Sequence, residues 1–305
     1  MQKNLETAIE QISNQVIGKN QQIKLALTCM LANGHLLIED LPGMGKTTLS
    51  HALARTLGLD FSRIQFTSDL LPADMLGLNI FDSAKQSFEF HPGPIFSQLV
   101  LADEINRASP KTQSALLEAM EEKQVSLDGE TRDLPSPFFV IGTQNPMHQS
   151  GTYPLPESQL DRFLMRIQLG YPDWNAEKQM LLSQNTSAIE TTESVITVDE
   201  FVSMQNEVNK VHASDAILNY VLRLVTFSRE TEGFPNPLSP RASKAALQAA
   251  RAWAFLHSRD YVIPEDIQAV LPSVAEHRLR GSTSDFNGQS SLSEKLLDAI
   301  DPLAA

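Results

Sequence analysis

Short apolar runs of strand length recur through the first half of the chain. They are Leu36-Leu37-Ile38, residues 61–67, Leu99-Val100-Leu101-Ala102, Phe138-Phe139-Val140-Ile141 and residues 163–169. Between them lie segments with apolar positions at helical spacing: Ile23, Leu25, Ala26, Leu27 and Met30, then Leu49, Ala52, Leu53 and Leu57 with Gly58 as a stop. Strands alternating with helices predict an α/β fold, an open parallel five-stranded sheet covered on both faces. Residues 1–33 predict two helices around Gln15-Val16-Ile17-Gly18-Lys19. Ser109-Pro110 predicts an N-cap with proline at the first helical position, opening a helix to about Glu122. Asp128-Gly129 within 125–134 predicts a hairpin. Residues 68–94 are punctuated by Leu, Pro and Gly without a clear period. That is too long for a plain loop, so an inserted functional element is expected there.

From Pro172 onward the pattern is helical only, at 175–183, 199–211, 215–229, 240–257 and 264–276. Residues 281–290 read as flexible, with a short terminal helix after them. The change predicts an α/β domain over residues 1–171, a small all-helical domain over 172–280, and a flexible segment with a short helix over 281–305.

The first apolar run leads into Asp40-Leu41-Pro42-Gly43-Met44-Gly45-Lys46-Thr47, and an amphipathic helix follows at once. A strand, a glycine turn ending in Gly-Lys-Thr, and a helix make a phosphate cradle. Backbone N–H groups face the anion, Gly43 and Gly45 allow close approach, Lys46 meets the terminal phosphates and Thr47 can ligate Mg²⁺. The strict phosphate-loop pattern wants glycine at position 40; aspartate visits positive φ readily enough to keep the turn. This sequence binds a nucleoside triphosphate.

Composition narrows the class. The chain has 305 residues, 42% hydrophobic and 20% charged, as expected of a globular protein with a proper core. Its net charge of −13, with 24 basic against 37 acidic residues and no basic cluster, disfavours a nucleic-acid motor. The single cysteine, Cys29, lies in an apolar helical pattern and reads as core. The start lacks signal-peptide character and no apolar run reaches membrane-spanning length, so a cytoplasmic location is expected.

Three further groupings carry candidate chemistry. Asp103-Glu104 ends an apolar strand, where one carboxylate can hold Mg²⁺ and the next can activate water, although two acids can also merely end a strand. Thr143-Gln144-Asn145-Pro146 ends another strand, where a polar side chain faces the γ-phosphate or simply forms a turn. Arg162 and Arg241 suit transition-state phosphate charge, or are surface ion-pair residues.

These groupings resemble the MoxR family of AAA+ ATPases. The similarity lies in Asp103-Glu104-Ile105-Asn106-Arg107-Ala108, in the run from Lys111 through Glu122, and in Gly142-Thr143-Gln144-Asn145-Pro146. It continues through Gly151-Thr152-Tyr153-Pro154-Leu155-Pro156-Glu157 and Gln159-Leu160-Asp161-Arg162-Phe163. It spans about residues 10–280, and Glu39-Asp40-Leu41-Pro42-Gly43 also looks like that family. The resemblance implies an AAA+ P-loop core with a small all-α lid, and ATP with Mg²⁺ as cofactors. Lys46 and Thr47 would be Walker A, with Pro42, Gly43, Met44, Gly45 and Thr48 about the phosphates. Asp103-Glu104 would be Walker B, with Thr47 and Asp103 at the metal. Asn145 would be sensor one, Arg241 the sensor-two arginine of the lid, and Arg162 an arginine finger reaching a neighbouring subunit, with Arg107 and Arg166 as nearby alternatives. Val16, Ile17 and Gly18 would lie against the adenine. Residues 68–94 would hold the helix-two insert and 125–133 the hairpin before sensor one, both facing substrate or partner in related machines. The family forms homo-oligomeric rings, commonly hexamers, that remodel or mature partner complexes, often with a von Willebrand factor A domain protein. A nucleic-acid-associated motor and a non-hydrolysing nucleotide scaffold are the other classes considered.

Overall fold

In the computed structural model, which describes residues 2–145, 151–182, 194–280 and 291–302, the chain opens with α1 (Gln2–Gln15) and α2 (Asn20–Leu31). Then come β1 (His35–Glu39), α3 (Lys46–Thr56), β2 (Phe61–Gln65), α4 (Pro72–Leu76), β3 (Gly77–Asp82) and β4 (Ser87–Pro92). They are followed by β5 (Leu99–Asp103), α5 (Pro110–Glu122), β6 (Gln124–Leu127), β7 (Glu130–Asp133), β8 (Phe139–Gln144), α6 (Glu157–Leu160) and β9 (Phe163–Ile167). The remainder is helical: α7 (Trp174–Leu182), α8 (Val198–Val208), α9 (Asp215–Glu230), α10 (Pro240–Leu256), α11 (Pro264–Arg280) and α12 (Leu292–Ala299). Pro146 and the segment 281–290, whose flexibility was expected, lie outside the described residues.

The five parallel strands take the order β2-β5-β8-β1-β9. The chain steps to either side of β1, so β1 ends at the topological switch point, where open α/β sheets hold ligands. Side chains alternate between faces along each strand. Leu36, Ile38, Leu99, Leu101, Phe139 and Ile141 pack with α1, α2 and α3, and that apolar cluster continues into α8 to α11. Leu37, Val100, Ala102 and Val140 face the other way, against α4 and α5. Cys29 is fully buried in the first cluster, as its pattern predicted, and burial drives its thiol upward.

Residues 68–94 are more regular than their sequence suggests. After the single turn of α4, β3 and β4 pair antiparallel from Gly77↔Pro92 to Asp82↔Ser87. The expected period is hidden because this ribbon carries apolar side chains on both faces, Leu78 and Ile80 on one and Phe81 and Phe88 on the other, all exposed. The expected second hairpin is present as β6 and β7, turning at Asp128 (φ +52°) and Gly129 (φ +82°). The two ribbons touch: Asn79 Nδ2 donates to Asp128 Oδ2 at 2.6 Å, and the Arg132 guanidinium lies 4.0 Å from the Phe90 ring centre. Among the described residues no helix is long and apolar enough to cross a membrane.

His35 pins the start of β1. Its Nδ1 accepts the Val140 N–H at 2.9 Å, and its Nε2–H donates to the Met120 carbonyl at 3.1 Å, so the ring is a neutral tautomer. Burial pushes its pKa down from 6.5 to about 4, with the Met120 carbonyl opposing and Lys123 assisting. The unfolded chain therefore takes up a proton that the native ring refuses. The associated stability is complete above pH 6.5 and is lost as pH falls toward 4, by about 3 kcal/mol at most. Urea unfolding from pH 7.5 to pH 4 is expected to show His35→Gln with a shallower pH slope than wild type; identical slopes would contradict a neutral buried His35.

Candidate active site

The loop after β1 is an open cradle. Gly43 (φ +83°) and Gly45 (φ +87°) both take backbone that favours glycine, and a Cβ built on either meets no atom within 4 Å. Gly45 caps α3, so the N–H groups of the first turn, at Lys46, Thr47 and Thr48, point toward the space over the loop. Pro42 is exposed on the rim, and Met44 packs down against the core.

Asp40 stays out of the positive-φ region that its place in the motif suggested. It acts through its carboxylate: Oδ2 accepts the N–H groups of Leu169 at 2.6 Å and Gly170 at 2.7 Å, and Oδ1 accepts that of Leu41 at 3.0 Å. A glycine there could not tie the loop to the strand-end of β9. The same segment, through the Tyr171 carbonyl, accepts the buried Lys19 ammonium at 2.7 Å. A Cβ on Gly18 (φ +75°) would meet Ala176 Cβ of α7 at 2.6 Å. Gly18 and Lys19 thereby lie against the 169–176 segment, with buried Val16 and half-buried Ile17 next to them in the chain.

Lys46, Asp103, Glu104 and Asn145 converge. The Lys46 ammonium is buried, donating to the Asp40 carbonyl at 2.7 Å and Asn145 Oδ1 at 3.1 Å. Burial lowers its pKa, while Asp103, Asp40, Glu104 and Glu39 pull it upward. An incoming anion restores what burial removes. Asn145 Nδ2 donates to Glu104 Oε1 at 3.0 Å, so one amide links the lysine to the carboxylate. Thr143 joins the two acids: its hydroxyl donates to Asp103 Oδ1 at 2.6 Å and accepts the Glu104 N–H at 2.9 Å. Glu104 has left-handed backbone (φ +57°), uncommon outside glycine and typical of functional turns.

Sequence reasoning placed Thr143 in a candidate grouping but singled out Asn145 there, and assigned no role to two further neighbours. Gln65 Nε2 donates to Glu104 Oε2 at 3.0 Å, and Arg63 pairs with Asp103 Oδ2 at 2.6 Å. The β2–β5 register sets Gln65 beside Asp103, and register is not visible in one sequence. Arg107 also binds Glu104 Oε2, at 3.0 Å, so it belongs to this end of its own chain.

Mg²⁺ fits here. The described residues hold no group of three His, Cys, Asp or Glu side chains able to bind a metal unaided. Asp103, whose oxygens here bond Thr143 and Arg63, and the half-buried Thr47 would supply the carboxylate and hydroxyl for it.

Arg162 and Arg241 lie elsewhere. Arg162 precedes β9, whose first residue, Phe163, is in register with His35 at the start of β1. It pairs with Glu121 at 2.8 Å and donates to the Leu117 carbonyl at 2.7 Å. Arg241, near the start of α10, binds the other Glu121 oxygen at 2.5 Å. Five residues of β1, about 13 Å at strand rise, separate this pair from the loop. Arg166 is buried against Glu39 at 2.9 Å, inside the chain.

Residues 35–165 match the model of the ATPase family associated with various cellular activities (AAA), and 228–298 match that of the AAA lid domain. Uncharacterized protein YeaC of Bacillus subtilis is 50% identical over 90% of this chain and 86% of its own length. Chaperone MoxR1 of Mycobacterium tuberculosis is 39% identical over 90% of this chain and 75% of its own. A crystal structure of a candidate ATPase from Cytophaga hutchinsonii superposes with a TM-score of 0.88 at 36% identity, covering 98% of this chain and 95% of that one.

Thr143 is fully buried and hydrogen-bonds both acids. Thr143→Val is therefore expected to keep nucleotide affinity within about twofold while slowing phosphate release about tenfold, as misaligned groups do. Unchanged phosphate release would remove Thr143 from the site.

Proposed function

We propose that this chain, which belongs to the MoxR family of AAA+ ATPases, binds ATP with Mg²⁺ at the 40–47 loop and hydrolyses it between adjacent copies of a homo-oligomeric ring. One observation carries the reading: the phosphate cradle with its acids and the Arg162–Arg241 pair lie at opposite ends of β1. No single chain brings both to one triphosphate, and a head-to-tail neighbour does.

In this reading Lys46 receives the terminal phosphates, and Val16, Ile17 and Gly18 border the base. Thr47 and Asp103 hold Mg²⁺, which neutralises charge developing on the transferred phosphoryl group. Glu104 accepts a proton from the attacking water, and Asn145 fixes that water's side of the γ-phosphate. Arg162 of the neighbouring copy acts as finger, with Arg241 beside it. The helical part over 172–280 is the lid in this reading, joined to the α/β part through one apolar cluster. Resemblance supports a hexamer working in the cytoplasm as a chaperone-like remodeller that matures partner complexes, with a von Willebrand factor A domain protein among its partners. The exposed ribbon β3–β4, tied to β6–β7, offers apolar side chains to a polypeptide. A net charge of −13 argues against a nucleic-acid motor, and salt-sensitive DNA binding would favour one.

Lys46→Ala should lose tight ATP binding. Glu104→Gln should bind ATP as wild type does and slow hydrolysis by about 10²-fold, the scale of a lost general base. Wild-type turnover per subunit should rise with protein concentration. Full turnover in Glu104→Gln excludes Glu104 as base, and concentration-independent turnover by a monomer on sizing excludes the ring.

A further inference from the structure

A cleft of about 320 Å³ opens at the N-terminal ends of β1 and β9, closed by α5, α10 and α11. Lys123, Arg162, Arg241, Lys244 and Arg278 line it, against the carboxylates of Glu121 and Asp161. This excess of cations stands out in a chain of net charge −13. The two carboxylates are used differently. Asp161 is held chiefly by Arg278, whose Nε donates to Oδ1 at 2.6 Å, while Arg241 reaches its Oδ2 only at 3.9 Å. The buried Arg278 side chain also donates to the Phe163 carbonyl at 2.9 Å and the Leu164 carbonyl at 3.1 Å. That contact is a fixed strut.

Glu121 is shared and partly exposed. One oxygen takes Arg162 at 2.8 Å and the other Arg241 at 2.5 Å, with side-chain exposures of 35% for Glu121, 29% for Arg162 and 48% for Arg241. Water reaches all three, so the pairs can exchange at small desolvation cost. Arg162 Nε–H is buried without a partner among the described residues. Lys244, one turn beyond Arg241 on α10, has no ion pair among the described residues. A guanidinium fork fits carboxylate and phosphate alike, and a phosphate brings more charge and a third acceptor oxygen.

We propose that Glu121 is an exchangeable counter-ion, which holds Arg162 and Arg241 side by side until a terminal phosphate group enters the cleft and takes both, with Lys244 as third cation. Glu121 thus orders the arginines and competes for them. The inference rests on the ring reading for the source of that phosphate, the nucleotide of a second copy, while the recognition chemistry also admits free polyphosphate.

The test is calorimetric titration of inorganic tripolyphosphate into full-length Lys46→Ala protein, whose own loop is disabled. Binding is expected, and Glu121→Gln in that background should tighten it about tenfold by removing a like charge, whereas Lys244→Ala should weaken it about fivefold. Damage to the fold does not tighten binding, so the sign separates positioning from a structural role. Unchanged or weaker binding in Glu121→Gln would make Glu121 a fixed anchor and overturn the proposal. Absence of tripolyphosphate binding in the Lys46→Ala protein would overturn the cleft as a phosphate receptor, yet leave concentration-dependent turnover to stand by itself. With ATP saturating, tripolyphosphate should raise the protein concentration for half-maximal turnover if a second copy supplies the phosphate, and leave it unchanged if free polyphosphate is the occupant.

Discussion

A parallel strand has two ends, and what is attached to one cannot reach the other. β1 leaves the glycine loop and Lys46 at its carboxyl end, while Asn33, His35 and, across the register, Arg162 sit at its amino end. An extended arginine spans about half the strand's length, so the separation is set by the sheet and not by side-chain choice. The order β2-β5-β8-β1-β9 makes this rigid, because β1 is hydrogen-bonded on both sides. In the proposed reading assembly then becomes part of the chemistry: the cradle would supply one side of the phosphoryl group and another copy the charge on the other.

At the carboxyl end, geometry comes from a few well-aligned polar contacts. Asn145 bridges Lys46 and Glu104, Thr143 bridges Asp103 and Glu104, and Asp40 ties the loop to the segment after β9. Asn145 and Thr143 both tie the end of β8 to the acids at the end of β5, and Asn145 ties it to the loop after β1 as well. β2, which ends at Gln65, and β8, which ends just before Asn145, adjoin in sequence the two ribbons joined by Asn79–Asp128.

Much of this was legible beforehand because its signals are local. Continuous apolar runs of strand length, the Gly-Lys-Thr turn before a helix, the Ser109-Pro110 cap and the Asp128-Gly129 turn each depend on neighbouring residues alone. What stayed hidden depends on pairing across the chain. Gln65 and Arg63 read as ordinary strand residues until register sets them beside Asp103 and Glu104. Asp40 looked like a tolerated substitute for glycine, whereas its carboxylate partners lie about 130 residues later. The β3–β4 ribbon escaped because alternation is visible only where one face is polar. The arginines were recognisable by motif, yet their distance from the loop emerges only from strand direction.

Whether hydrolysis requires two chains is decided most directly by mixing two inactive proteins. Arg162→Ala retains Glu104 but lacks the finger, and Glu104→Gln retains the finger but lacks the base. Each alone should hydrolyse ATP slowly, the first by about 10³-fold relative to wild type. Equal mixing should restore phosphate release to a sizeable fraction of wild type, because some interfaces then pair an intact Glu104 with an intact Arg162. Phosphate release from the mixture that equals the average of the two separate proteins would contradict a shared site and return the chemistry to a single chain.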